Sequence, residues 1–130
     1  MLDPILLDRC VERFSRESGL VAVWIFGSAV SDRLREDSDV DFALYNKPGA
    51  ELDLSAFGEL VCDLEDILGR KADLGWLSSR NLVYAVQAFQ TGQLIYTTDE
   101  SAAMAFASRL QSLYLDLKQD RKVVEEAYCA

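Results

Sequence analysis

The stretch "LVAVWIFGSAVSDRLREDSDVDFAL" runs from Leu20 to Leu44. Leu20–Phe26 is seven apolar residues, rich in β-formers and stopped by Gly27, which predicts a strand buried on both faces. Ten residues after Ser28 the chain reads Asp39-Val40-Asp41 and turns apolar again. Val40–Tyr45 reads as a second strand, ended by "NKPG". Strand side chains alternate faces, so Asp39 and Asp41 share one side while Val40, Phe42 and Leu44 face the core. Burying an unpaired carboxylate is costly. Two of them at the start of a core strand therefore call for a chemical reason.

Further elements follow on either side. Asp3-Pro4 reads as N-cap and first helical residue, and Leu7, Cys10, Val11 and Phe14 mark an amphipathic helix that Gly19 ends. Ser28 to about Leu34 predicts a short helix at the end of the first strand. Asp53–Leu68 predicts a helix with Leu54, Phe57, Val61, Leu64 and Leu68 on its apolar face and Gly69 as its stop. Lys71–Leu77 reads as a third strand, Ser79–Thr91 as a helix, and Gln93–Thr97 as a fourth strand. Thr97 and Glu100 stand in capping-box spacing. They open a long helix to about Ala127 with Phe106, Leu110, Leu113, Leu117 and Val124 in one stripe. Its charged end reads either as a solvated terminus or as a docking surface. This order predicts an α/β domain around a small mixed sheet.

The chemistry gathers around the opening stretch. Paired carboxylates without His or Cys form an oxygen-only cation site suited to Mg²⁺ or Mn²⁺. Two like charges this close resist ionising together unless a cation is present. Gly27 allows a ligand close to the backbone. Ser28 stands where helix N–H groups would face phosphate. The strand–Gly-Ser–helix turn thus reads as a phosphate cradle beside the metal site. In "KADLGWL", Asp73 falls on the third strand, either as a third metal ligand or general base, or as an exposed edge acid or a salt-bridge partner of Lys71.

Composition narrows the remaining possibilities. The 130 residues suit one domain spanning 1–130. Thirteen basic against 22 acidic residues give a net charge of −9, which counts against non-specific nucleic-acid binding. The chain contains no histidine, which removes His-based triads and the commonest zinc ligands. Cys10, Cys62 and Cys129 form no CxxC pair, and Cys10 and Cys62 read as small buried thiols. No apolar run approaches the ~18 residues of a membrane span. Acids appear early in "MLDPILLDRC", unlike a signal peptide, so the cytoplasm is the expected location.

Gly27-Ser28, ten residues, then Asp39-x-Asp41 in the context "SDVDFAL" resembles the signature of the DNA polymerase β-like nucleotidyltransferase superfamily. The small size is similar to its minimal prokaryotic branch, the MNT-domain proteins, over nearly the whole chain. The resemblance implies two Mg²⁺ ions, or Mn²⁺ in their place, held by Asp39, Asp41 and Asp73. It places Gly27 and Ser28 on the triphosphate of ATP and implies transfer of AMP to a hydroxyl that Asp73 helps activate. MNT-domain proteins resembling this one are commonly encoded with a HEPN-domain ribonuclease, so the resemblance implies an antitoxin that adenylylates a tyrosine of a HEPN toxin, with no direct nucleic-acid or membrane partner. The pattern departs at "GSAVSD". Ala29 and Ser31 stand where basic residues are usual and Asp32 where Gly is usual, with Arg33 or Arg35 able to compensate. This leaves two alternatives: a degenerate member that neutralises the toxin by binding only, or a small-molecule, aminoglycoside-type nucleotidyltransferase.

Overall fold

The computed structural model describes residues 2–30, 34–35 and 38–129. Its strands are β1 (Leu20–Phe26), β2 (Val40–Asn46), β3 (Ala72–Trp76) and β4 (Gln93–Thr97). They form one mixed sheet of order β3-β2-β1-β4. β2 and β4 flank β1 antiparallel, and β3 runs parallel to β2 at the edge. The helices are α1 (Pro4–Phe14), α2 (Leu54–Leu68), α3 (Leu82–Thr91) and α4 (Glu100–Cys129).

Every residue of β1 is buried because helices cover both faces of the central strand. Strand alternation divides the core in two. Val23, Ile25, Phe42 and Leu44 pack with Cys10 and Phe14 of α1 and Leu60 and Leu64 of α2. Ala22, Trp24, Phe26 and Ala43 pack with Ala85 and Ala88 of α3 and Ala103 and Leu110 of α4. Edge-to-face ring pairs lock each layer, Phe14–Phe42 at 5.2 Å and Trp24–Phe89 at 5.0 Å between centroids. Each large side chain so removed from water contributes about 1.5–3 kcal/mol. Between α1 and α2, the buried Arg13 donates from Nε to Asp63 (2.7 Å) and from Nη1 to Glu17 (2.9 Å).

The caps decide where the helices start. Asp3 accepts from the Ile5 N–H (2.9 Å) and Asp53 from the Ala56 N–H (2.7 Å), as Asp-initiated helices should. Gly69, at φ +68°, closes α2. α3 starts at Leu82, not at the expected Ser79. Asn81 accepts from the Ser78 N–H (3.1 Å) and donates to the Trp76 carbonyl (2.8 Å), which holds Ser79–Asn81 in a turn. α4 is capped by Asp99, whose carboxylate accepts from the Ala102 N–H (3.1 Å), and not by the expected Thr97–Glu100 box. Thr97 stays in β4, paired with Ala22, and its hydroxyl accepts from the Asp99 N–H (3.1 Å).

The apolar face of α2 is also rotated from the expected one. Its buried row is Leu60, Leu64 and Leu68, while Leu54 is 89% exposed. Leu54 lies about 80° around the helix from Leu64, at the end where the cover runs out. Cys62 is exposed, contrary to the expected buried thiol, because it lies roughly 200° around from Leu64. Cys10 is buried as expected, and burial pushes its thiol up to about 11.

α4 is 30 residues long, about 45 Å. Its first half belongs to the core through Ala103, Ala107 and Leu110, and Phe106 stacks on Tyr45 with centroids 3.7 Å apart. Beyond Leu110 none of the described side chains is buried. The expected stripe is thus core at Phe106 and Leu110 but exposed at Leu113 and Leu117. Val124 falls outside the side chains described. Among the described residues no helix is long and apolar enough to cross a membrane.

Candidate active site

The site lies where β1 ends and β2 and β3 begin. Backbone pairing aligns Phe26, Asp41 and Asp73 in one row across three adjacent strands. The antiparallel turn from β1 to β2 sets Gly27 beside Asp41, and the parallel pairing of β2 with β3 sets Asp73 beside Asp41. Neighbouring strands lie about 4.8 Å apart, so these carboxylates are within reach of one cation. Asp41 shares the sheet face of Ala43, which looks toward α3 and α4. It is half-buried, whereas Asp73, on the edge strand, and Asp39, just before β2, are exposed. Asp73 makes no ion pair with Lys71 among the described residues.

Gly27 is required here twice. Its φ of +75° is left-handed, which a side chain resists. A Cβ at this position would also stand 2.5 Å from Asp41 Oδ2. The missing side chain is the space the Asp41 carboxylate uses. After Gly27 the chain makes one 3₁₀ turn, Gly27–Val30, with Ala29 buried in the α1 layer. A turn this short carries little macrodipole. It can offer a phosphate its leading N–H groups rather than the field of a long helix. Of the rest of the expected short helix, Ser31, Asp32 and Arg33 lie outside the described residues, and Leu34 is not helical.

The electrostatics bear the mark of crowding. Asp41's carboxyl is pushed above its ordinary value, first by burial, then by the negative charges of Asp73 and Asp39. A divalent cation would relieve all three causes together. The donor set of oxygens alone, with His absent from the chain, fits Mg²⁺ or Mn²⁺. Among the described residues no three acidic, His or Cys side chains are already drawn together as metal ligands.

Two supporting residues escaped sequence reasoning. Tyr84, on α3, lays its ring over Gly75 so closely that any Cβ there would overlap the Tyr84 hydroxyl. That hydroxyl donates to the Phe42 carbonyl (3.3 Å), and the ring meets Phe26 edge-on at 5.5 Å. Burial, then Asp73 and Asp41, push its phenol up to about 12. The signal was Gly75 itself, since glycine inside a strand marks a close approach. Arg70 Nη1 donates to the Arg35 carbonyl (2.6 Å). Ser38 closes the same loop, its hydroxyl accepting from the Arg35 N–H (3.0 Å) and its own N–H donating to the Arg35 carbonyl (3.1 Å). The approach to Asp39 is therefore braced from α2's C-terminal end. Arg35 itself is exposed.

Comparison with known proteins agrees with this geometry. A family model described as polymerase beta, nucleotidyltransferase, matches residues 8–101. A chain of a toxin–antitoxin complex crystallised with AMP-PNP superposes with a TM-score of 0.78 at 24% identity, covering 95% of this chain and 98% of that one. The Shewanella oneidensis complex of a tri-AMPylated HEPN toxin with its MNT antitoxin gives 0.73 at 23% identity, covering 97% and 98%. A MntA–HepT toxin–antitoxin complex gives 0.74 at 22% identity, covering 98% and 100%. Among curated protein sequences none matches significantly. The family model spans the whole sheet, with the row from Phe26 to Asp73, and the chain belongs to the polymerase β nucleotidyltransferase family.

Proposed function

We propose that this chain transfers AMP from ATP to a hydroxyl, that of a tyrosine, on a HEPN-domain toxin, and so acts as the toxin's antitoxin. The observation that carries the reading is the Gly27 backbone against Asp41, with Asp73 next to it in register. This sets a phosphate-approaching turn, two adjacent carboxylates and a strand edge at one point. The solved complexes of similar fold support the choice of nucleotide and partner, one by AMP-PNP and one by an AMPylated HEPN toxin.

Asp39, Asp41 and Asp73 would hold two Mg²⁺ ions, with Mn²⁺ able to replace them, and these would supply charge neutralisation at the phosphates and the attacking oxygen. Gly27 and Ser28 line the triphosphate. The acceptor oxygen attacks the α-phosphorus in line, forming an O–P bond as the bond from that phosphorus to the bridging oxygen breaks. Pyrophosphate leaves with the electron pair. The hydroxyl proton passes to Asp73, which is exposed at the sheet edge and open to an incoming group. The chain's work is positioning and electrostatics.

Co-expression with the HEPN-domain partner, followed by intact mass measurement of that partner, tests the reading. The expected result is addition of one or more AMP masses, lost in the Asp39→Ala/Asp41→Ala double variant. A double variant that still modifies the partner overturns the carboxylate assignment. Neutralisation that survives in this variant without any added mass would establish the binding-only alternative. Ala29 at the position of a usual basic residue favours that second reading.

A further inference from the structure

A groove of about 510 Å³ lies between α3 and the outer half of α4, walled by Arg80, Leu82, Val83, Tyr84 and Leu117. On the same turns of α4 a second hollow of about 440 Å³ is framed by Leu115, Lys118, Arg121 and Lys122. No carboxylate lines either one, although Asp116 and Asp120 share those turns. In a chain of net charge −9, the groove is thus lined by one cation, Arg80, while Lys118, Arg121 and Lys122 line the separate hollow on α4. Among the described residues none of Arg80, Lys118, Arg121 and Lys122 is ion-paired. The walls are apolar and open to solvent, with Val83 64% and Leu117 42% exposed. α4 runs on past Leu110 for roughly 28 Å, and none of its described side chains there is buried.

One residue joins this surface to the chemistry. Tyr84 lines the groove, and its hydroxyl end lies over Gly75, two residues along β3 from Asp73. Two residues of strand span about 7 Å. A polypeptide seated in the groove therefore has a short path to the carboxylates.

We propose that the α3–α4 groove is the docking surface for the protein that carries the acceptor hydroxyl. Its occupant is an amphipathic helix whose apolar residues enter between Val83 and Leu117 and whose acidic flank meets Arg80. The inference rests on the transfer reading above for the identity of the partner. The groove's own observations supply the rest: an apolar wall of Leu82, Val83, Tyr84 and Leu117, a cation, Arg80, at its edge on an acidic protein, and continuity with the site through Tyr84.

The test uses the full chain with its co-expressed HEPN-domain partner and two variants. Val83→Glu/Leu117→Glu places charge in the apolar wall, at exposed positions where the fold is not at stake. Arg80→Glu reverses the charge at its edge. Partner affinity, AMP added to the partner, and affinity for AMP-PNP with Mn²⁺ are each measured. The groove predicts that the first variant loses at least ~10-fold in partner affinity, the scale of a buried apolar anchor. AMP transfer falls in step, while AMP-PNP binding and melting temperature hold. The second variant loses affinity at ~50 mM salt and recovers toward the wild-type value at ~500 mM. Wild-type affinity and transfer in both variants overturn the groove and leave the transfer reading intact. If the wild type binds the partner without modifying it and the variants lose that binding, the groove stands and the transfer reading fails. Loss of AMP-PNP binding with partner capture intact also overturns the groove, by making it part of the nucleotide site.

Discussion

Gly27 and Asp41 act as one unit. The backbone of Gly27 adopts φ +75°, and the volume its side chain would take belongs to Asp41 Oδ2. Gly27→Ala imposes a left-handed strain of about 1–2 kcal/mol and pushes against the carboxylate as well. Urea denaturation should show a loss of about 1–3 kcal/mol. Transfer should suffer more than stability, because the Asp41 carboxylate must move. Asp41 also sets a pH signature in the metal-free protein. Its carboxyl is raised by burial, by Asp73 and by Asp39, so the native state holds the proton more tightly than the unfolded chain does. Stability from this group is full below the unfolded value and is lost as pH rises through the folded one. In EDTA at neutral pH, Asp41→Asn should therefore melt higher than the wild type, with the gap closing near pH ~3. Mg²⁺ should then raise the wild-type melting temperature and leave Asp41→Asn unmoved. Wild type and variant responding alike to Mg²⁺ would remove Asp41 from the metal site.

At the scale of elements, what the sequence disclosed depended on whether the signal was local. β4 was read to its ends, Gln93–Thr97, and β1 likewise, because continuous apolar runs bounded by Gly carry their own limits. α3 was read three residues early because Asn81 ties back to Trp76 and Ser78, a turn that periodicity does not show. The cap of α4 was misplaced by two residues for a related reason, since Thr97 is claimed by its pairing with Ala22 in β1. The row Asp41–Asp73 was only half legible. Alternation placed each acid on its strand, but the parallel pairing that sets them side by side is a long-range choice. Tyr84 was invisible until Gly75 could be seen beneath it. The α1–α2 clamp is likewise non-local. Arg13 binds Glu17 one turn away and Asp63 from α2. Arg13→Met keeps the stem packed and removes the guanidinium. It should cost about 1–3 kcal/mol in chemical denaturation, by leaving Glu17 and Asp63 without their partner. An unchanged midpoint would show that solvent screening already cancels the pair.

Taken whole, the molecule is asymmetric. One end of the sheet gathers carboxylates around a glycine turn, and one helix runs past the core toward a second surface. The total charge of −9 would repel a triphosphate, so nucleotide binding has to be won locally by cations and backbone N–H groups. The described structure offers no basic side chain from the 3₁₀ turn, where Ala29 is buried. This raises the share of the work that would fall to metal ions on Asp39, Asp41 and Asp73 in the proposed reaction. Crystals of the chain grown with AMP-PNP and Mn²⁺, measured at the manganese absorption edge, test this most directly. Anomalous density for Mn²⁺ is expected between Asp39, Asp41 and Asp73, with the triphosphate lying along Gly27 and Ser28. AMP-PNP bound with its triphosphate elsewhere, or at the Gly27 turn with no manganese on Asp41, would contradict this expectation.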